Sequence, residues 1–195
     1  MAQAFPELWV LRHGQTEWNR AGRFQGHLDS PLTPLGETQA AAQNRLMRGL
    51  ALPPDMRFFT SPLGRARRTA EIALEGVARE ITADDRLMEI DIGDCSGLTV
   101  PEIHAKCPEA AEDDGLREGW CFDMPGGDGE DAFRARIGSF LKELRGQSVI
   151  VTHGITSQIL RGLALGRSAD EMLRLSEMQG VVYHIASGKM DVIGA

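Results

Sequence analysis

The run Leu8-Trp9-Val10-Leu11 has the continuous, partly β-branched character of a strand buried on both faces, and it stops at Arg12-His13-Gly14. Gln147–Thr152 repeats the pattern and stops at His153-Gly154, and Met56–Thr60 predicts a shorter strand of the same kind. Between these runs the apolar spacing turns helical. Thr33-Pro34 supplies an N-cap and a first-turn proline for a helix through about Arg48. Ser61-Pro62 repeats that device for a helix to about Glu75. Phe133, Ile137, Phe140, Leu141 and Leu144 share one helical face, with Asp128 as the predicted cap. Ile155–Leu165 predicts a helix, and Ser168-x-x-Glu171 is a capping box for one more. Residues 80–87 predict an edge strand, and 99–127 a partly helical, irregular excursion. Val181–Ile185 and Lys189–Ile193 predict a closing hairpin around Ser187-Gly188, while Met172 and Met178 read as core fillers.

Short strands alternating with helices imply an α/β fold, its mostly parallel sheet covered on both faces. With no internal repeat, low-complexity tract or long linker, residues 1–195 are expected to form a single domain. The net charge of −7 and pI near 5.3 argue against nucleic acid or an anionic membrane as the main partner. No apolar run approaches the ~20 residues that span a bilayer. The N-terminus carries Glu7 and no basic start ahead of a long apolar stretch, so no signal peptide is expected. Cys95, Cys107 and Cys121 are odd in number and lack CxxC spacing, as reduced thiols do. A cytoplasmic location is expected.

Three strand ends carry polar chemistry: Arg12-His13-Gly14, Thr60-Ser61 leading to Arg65, and Thr152-His153-Gly154. Parallel strands would bring them to one rim, where open α/β sheets place ligands. Arg65 would lie in the first turn of its helix, whose free N–H groups favour an anion. Two histidines and two arginines make a cationic cup suited to a phosphoryl group, whose oxygens match guanidinium forks. Zinc fits less well, because neither histidine has a second ligand at helical spacing and the arginines would repel a dication.

The stretches LRHGQTEWN, GHLDSPLTPLGETQA, TSPLGRARRTAE, LMEIDIGDCSGLT and VTHGITSQILRGLALG, in that order between residues 7 and 166, resemble the histidine phosphatase superfamily, the phosphoglycerate mutase-like phosphatases. The resemblance implies a three-layer α/β/α sandwich and a phosphohistidine mechanism without metal or other cofactor. It carries the functional positions onto Arg12, His13, Asn19, Arg65, Glu89 and His153. His13 would be the nucleophile, neutral because neighbouring cations favour that state. Arg12, Arg65 and His153 would hold the phosphoryl oxygens, with Asn19 and the backbone at Gly154 binding alongside. Glu89 would protonate the leaving alkoxide and then activate water, kept near the cup by the turn around Gly93 and Gly97.

The chain departs from the mutase pattern. Cys95 stands where many relatives carry Trp, Ile155 follows His153-Gly154 where mutases continue with Asn, and no Glu-Arg-x-Tyr-Gly run is present. A phosphomonoesterase is therefore favoured over a cofactor-dependent mutase, and the presence of all six catalytic positions favours it over a non-catalytic phospho-ligand binder. No P-loop accompanies it. The expected partner is a small phosphorylated metabolite, with a homodimer left open. His27, His104 and His184 match no catalytic position, and Arg67 and Arg68 read as a solvated helix face. Between Glu109 and Asp131 lie nine carboxylates against Arg117. If that segment overhangs the cup, it disfavours polyanionic substrates.

Overall fold

The computed structural model describes residues 5–194. The ends of the expected 1–195 domain, and the extreme N-terminus on which the absence of a signal peptide partly rests, lie outside the described residues. In chain order the first elements are β1 (Leu8–Arg12), α1 (Glu17–Arg20), α2 (Pro34–Gly49), β2 (Arg57–Thr60), α3 (Gly64–Ala73), β3 (Thr82–Ala83) and α4 (Val100–Lys106). They are followed by β4 (Ala111–Glu112), β5 (Gly115–Leu116), α5 (Glu130–Glu143), β6 (Ser148–Thr152), α6 (Gly154–Leu165), α7 (Ala169–Leu173), β7 (Val182–Ala186) and β8 (Lys189–Ile193).

Six strands form one sheet in the order β3-β2-β6-β1-β7-β8. The first four run parallel, and the β7–β8 hairpin closes the other edge antiparallel. Two-residue alternation along β1 splits its side chains between two cores. Leu8 and Val10 join Phe133, Ile137 and Phe140 of α5 and Ile159 and Leu160 of α6. Trp9 and Leu11 join Met47 of α2 and Ala70 and Ala73 of α3. Helices thus cover both faces of the sheet, the expected α/β/α sandwich. Each fully buried aliphatic contributes about 1.5–3 kcal/mol of burial, so losing either cluster would exceed a typical domain's net stability.

Local chemistry set several boundaries as expected. The Thr33 hydroxyl accepts from the Gly36 amide to open α2 behind Pro34. The Ser168–Glu171 capping box opens α7, and Ser187 and Gly188, both at positive φ, turn the hairpin. Elsewhere the structure differs. α3 begins at Gly64 with no side-chain cap of its own, because the N-cap position is Leu63 and Ser61, engaged by His153, sits two residues before it. α5 begins at Glu130 after a left-handed Gly129, and Asp128 instead accepts the Asp91 amide and pairs with Arg136. The expected 80–87 strand shortens to β3, since the chain turns into the 3-10 segment Asp85–Leu87. Met172 is buried, but Met178 is 46% exposed on the loop between α7 and β7.

Two glycines let the chain turn sharply after β1. A Cβ on Gly14 would run into the Gly36 carbonyl, and one on Gly36 into the Gln15 carbonyl. The loop that follows His13 therefore crosses the first turn of α2 in backbone contact.

Candidate active site

Strand register assembles the site. Arg12 lies opposite Thr152 in the β1–β6 ladder, and Thr60 opposite Val151 in β2–β6. Each ladder runs one bond beyond its strand: the His13 amide donates to the Thr152 carbonyl at 2.9 Å and the Ser61 amide to Val151 at 3.0 Å. His13, His153 and Ser61 consequently emerge side by side.

His13 is buried and lines a cavity of about 360 Å³. Its Nδ1 lies 2.7 Å from the Gly14 carbonyl. A carbonyl can only accept, so Nδ1 carries the proton and Nε2 keeps its lone pair. Burial above all, then the Arg65 and Arg12 charges, hold His13 well below the ordinary histidine pKa. His153 lies beside it, its ring centroid 5.2 Å away and its Nε2 at 2.7 Å from the Ser61 hydroxyl oxygen. Burial and Arg65 lower His153 in the same way. Both rings are neutral.

Arg65 is anchored through both terminal nitrogens and Arg12 through one. Arg65 Nη1 donates to the Leu28 carbonyl at 2.8 Å and to Asp29 Oδ1 at 3.1 Å, and its Nη2 to the Gly26 carbonyl at 2.8 Å. Arg12 Nη1 donates to the Glu177 carbonyl and lies 3.1 Å from Glu177 Oε2. In both, Nε is buried without a partner, and so is Nδ1 of His153. An unsatisfied buried donor costs about 1–3 kcal/mol. The two guanidinium Nε donors at one rim, with His153 Nδ1 beside them, describe a cradle shaped for acceptor oxygens, and the Nε edge of a guanidinium is one that forks onto a phosphoryl group. The expected free N-terminus of α3 is not part of it, because Asp29 Oδ1 already accepts the Arg65 amide at 3.3 Å.

Glu89 reaches the same cavity from the loop after β3. Its Oε1 accepts the Thr156 amide at 3.0 Å and hydroxyl at 2.9 Å, and its Oε2 the Ile155 amide at 3.2 Å. The carboxylate therefore rests on the first turn of α6, where unpaired N–H groups favour negative charge. Its backbone is fixed as well. His27 Nε2 donates to the Glu89 carbonyl at 2.9 Å, and Arg136 Nη2 to the same oxygen at 3.1 Å. Gly93, at φ 49°, turns the chain where a Cβ would strike the Pro125 carbonyl.

Asn19 lines the cavity too, but its Oδ1 is taken: it accepts the Thr16 amide at 3.2 Å in a capping box and faces Gln179 Nε2 at 3.4 Å. Its amide nitrogen makes no bond among the described residues. Gly154 is buried and off the cavity wall; a side chain there would collide with Glu177 Oε2 and press on the Arg12 guanidinium. Val100, Trp120 and Cys121 bring the 99–127 excursion over the cavity, so it does overhang the cup. None of the nine carboxylates of 109–131 lines the cavity, and Asp123, Glu118, Asp128 and Glu130 are paired with arginines.

Sequence reasoning missed Glu177 and Gln179, whose loop has no periodic pattern to place it. The structure ties that loop down: Ser176 accepts from buried Arg161 and Gln179 Nε2 donates to the His13 carbonyl at 3.0 Å. Arg161 packs over the Tyr183 ring at 3.8 Å, and burial brings its pKa down to about 10. Asp29 and Thr156 were missed as partners, although both sit inside quoted motifs.

A neutral imidazole with an open Nε2, set among arginines at the carboxyl rim of an α/β/α sheet, defines a phosphoryl-handling enzyme. More particularly, the chain belongs to the histidine phosphatase superfamily (branch 1), whose family model matches residues 8–190. It is 34% identical over 185 residues to a probable phosphoglycerate mutase GpmB of Salmonella choleraesuis, covering 87% of this chain and 80% of that protein. Among solved structures it is similar to the alpha-ribazole phosphatase of Shigella flexneri, with a TM-score of 0.81 and 25% identity over 97% of this chain and 96% of that one. A mycobacterial glucosyl-3-phosphoglycerate phosphatase solved with VO3 matches with a TM-score of 0.72 and 26% identity, covering 97% and 99%. Among the described residues no helix is long and apolar enough to cross a membrane.

Proposed function

We propose that the protein is a phosphomonoesterase that hydrolyses a small phosphorylated metabolite in the cytoplasm through a phosphohistidine on His13. The observation that carries this reading is the open Nε2 of a neutral His13 beside two guanidinium groups whose Nε edges have no partner. Nε2 attacks phosphorus in line, the N–P bond forms, and the bond to the ester oxygen breaks. Arg12, Arg65 and His153 receive the oxygens as charge shifts onto them, and the free amide of Asn19 adds a donor. Glu89, entering this step protonated, gives its proton to the departing alkoxide and is left as the carboxylate that the α6 amides hold. As a carboxylate it then takes a proton from water, whose oxygen attacks phosphorus and releases His13. No metal is needed, because side-chain cations supply the positive charge.

Two structural relatives named as phosphatases support hydrolysis. The relative named as a probable phosphoglycerate mutase keeps mutase-type transfer as the second reading. Rapid acid or base quench with 32P-labelled ester should trap base-stable, acid-labile label on the protein, undiminished by excess chelator. His13→Ala should abolish it. Label retained by the His13→Ala protein, or lost on chelation and restored by a divalent metal, would overturn the mechanism.

A further inference from the structure

The cations lining the cavity among the described residues are Arg12, Arg23 and Arg65, and each already has a carboxylate of its own. Arg12 is paired with Glu177 at 3.1 Å, Arg23 with Glu102 at 2.9 Å, and Arg65 with Asp29 at 3.1 Å. Both histidines are neutral, and Glu177 adds a carboxylate to the wall. The buried side-chain nitrogens without a partner that surround His13 are the Nε atoms of Arg12 and Arg65 and Nδ1 of His153. Away from that cradle the wall has an apolar face of Phe24, Ile92, Val100 and Trp120, with Trp120 edge-on to Phe24 at 4.9 Å, beside Gln25 and the paired Arg23.

We infer that the site takes phosphomonoesters whose leaving group carries no second anion, and that Glu177 enforces this rule. The inference rests on the phosphomonoesterase reading for what the cradle holds, and adds what the rest of the cavity selects. One phosphoryl group uses the free guanidinium edges. A carboxylate or second phosphate on the leaving group would meet no unpaired cation, would lose its water against apolar side chains, and would face the half-exposed carboxylate of Glu177. An uncharged aromatic or aliphatic group meets a matching surface. The discriminating charge comes from the Glu177 loop and not from the acidic 109–131 segment, none of whose carboxylates lines the cavity.

Glu177 also holds Arg12, so the test must separate charge exclusion from positioning. Calorimetric titration would compare phenylphosphonate with 4-carboxyphenylphosphonate, and steady-state hydrolysis would compare phenyl phosphate with 4-carboxyphenyl phosphate. The native protein should favour the uncharged ring in both assays. Glu177→Gln should narrow the preference by about tenfold, the scale of one like-charge contact near a protein surface, and Glu177→Lys should narrow it further. A purely positioning role would weaken both members of each pair in parallel and leave the ratio unmoved, which would overturn the inference while phosphatase activity stood. Discrimination between the phosphonates with neither ester hydrolysed would overturn the phosphatase reading and leave the charge rule intact.

Discussion

His13 shows how one hydrogen bond can decide a chemical role. The Gly14 carbonyl at 2.7 Å takes the Nδ1 proton, so the lone pair can lie only on Nε2. Glu89 is set just as firmly, with both oxygens on the first turn of α6. That placement gives a test of its role as proton donor. An alkoxide needs a proton as it leaves, whereas nitrophenolate hardly does, and general acid assistance is worth about 10²–10⁴ in rate. Glu89→Gln should slow the phosphorylation step by that range for an alkyl phosphate and far less for p-nitrophenyl phosphate, read from the nitrophenol burst. Equal losses for both would mean that Glu89 serves α6 and the pocket wall, with the acid to be sought elsewhere.

At the scale of elements, the three strand ends were legible because buried parallel strands announce themselves as apolar runs, and the polar residue after each run marks the rim. Arg12, His13, Arg65 and His153 all followed from that. The elements that orient them were not legible. Ser61 looked like a helix cap but binds His153, and Asp128 looked like one but binds Arg136, because a short polar side chain beside a helix start has many partners that only tertiary structure can choose among. Arg136 illustrates the consequence. From α5 it donates to the Met88 carbonyl at 2.9 Å and the Glu89 carbonyl at 3.1 Å, and it packs over Phe133 at 4.9 Å. Arg136→Met keeps the stem and removes the donors, leaving the Arg86 carbonyl and the Asp128 carboxylate without this partner and the Glu89 carbonyl with His27 alone. Urea unfolding should show a loss of about 1–3 kcal/mol, and hydrolysis of alkyl phosphates should fall more than that of p-nitrophenyl phosphate as Glu89 loosens. A variant as stable as the parent, with both substrates unaffected, would show that the loop holds its shape without α5.

The whole molecule carries the cost of its own site. His13 and His153 sit side by side at the junction of β1 and β6, both buried, and burial with the adjoining arginines keeps their pKa values well below the ordinary 6.5. In the unfolded chain both titrate near 6.5. Below that value the unfolded state binds protons that the native state refuses, so native stability is lost as pH falls from about 6.5 toward the lowered native values, and is unaffected by these groups above it. Each histidine contributes a slope of up to about 1.4 kcal/mol per pH unit in that window. Chemical denaturation between pH 7 and pH 5 should show the decline, and replacing His153 with Gln should flatten it by about half if the fold survives. The His13 and His153 ring resonances should stay at neutral-imidazole shifts at pH 6, when exposed histidines are largely protonated. Midpoints near 6.5 for both rings, with stability flat from pH 7 to 5, would remove the electrostatic basis for a neutral nucleophile and with it the argument that the arginine cradle keeps His13 ready to attack.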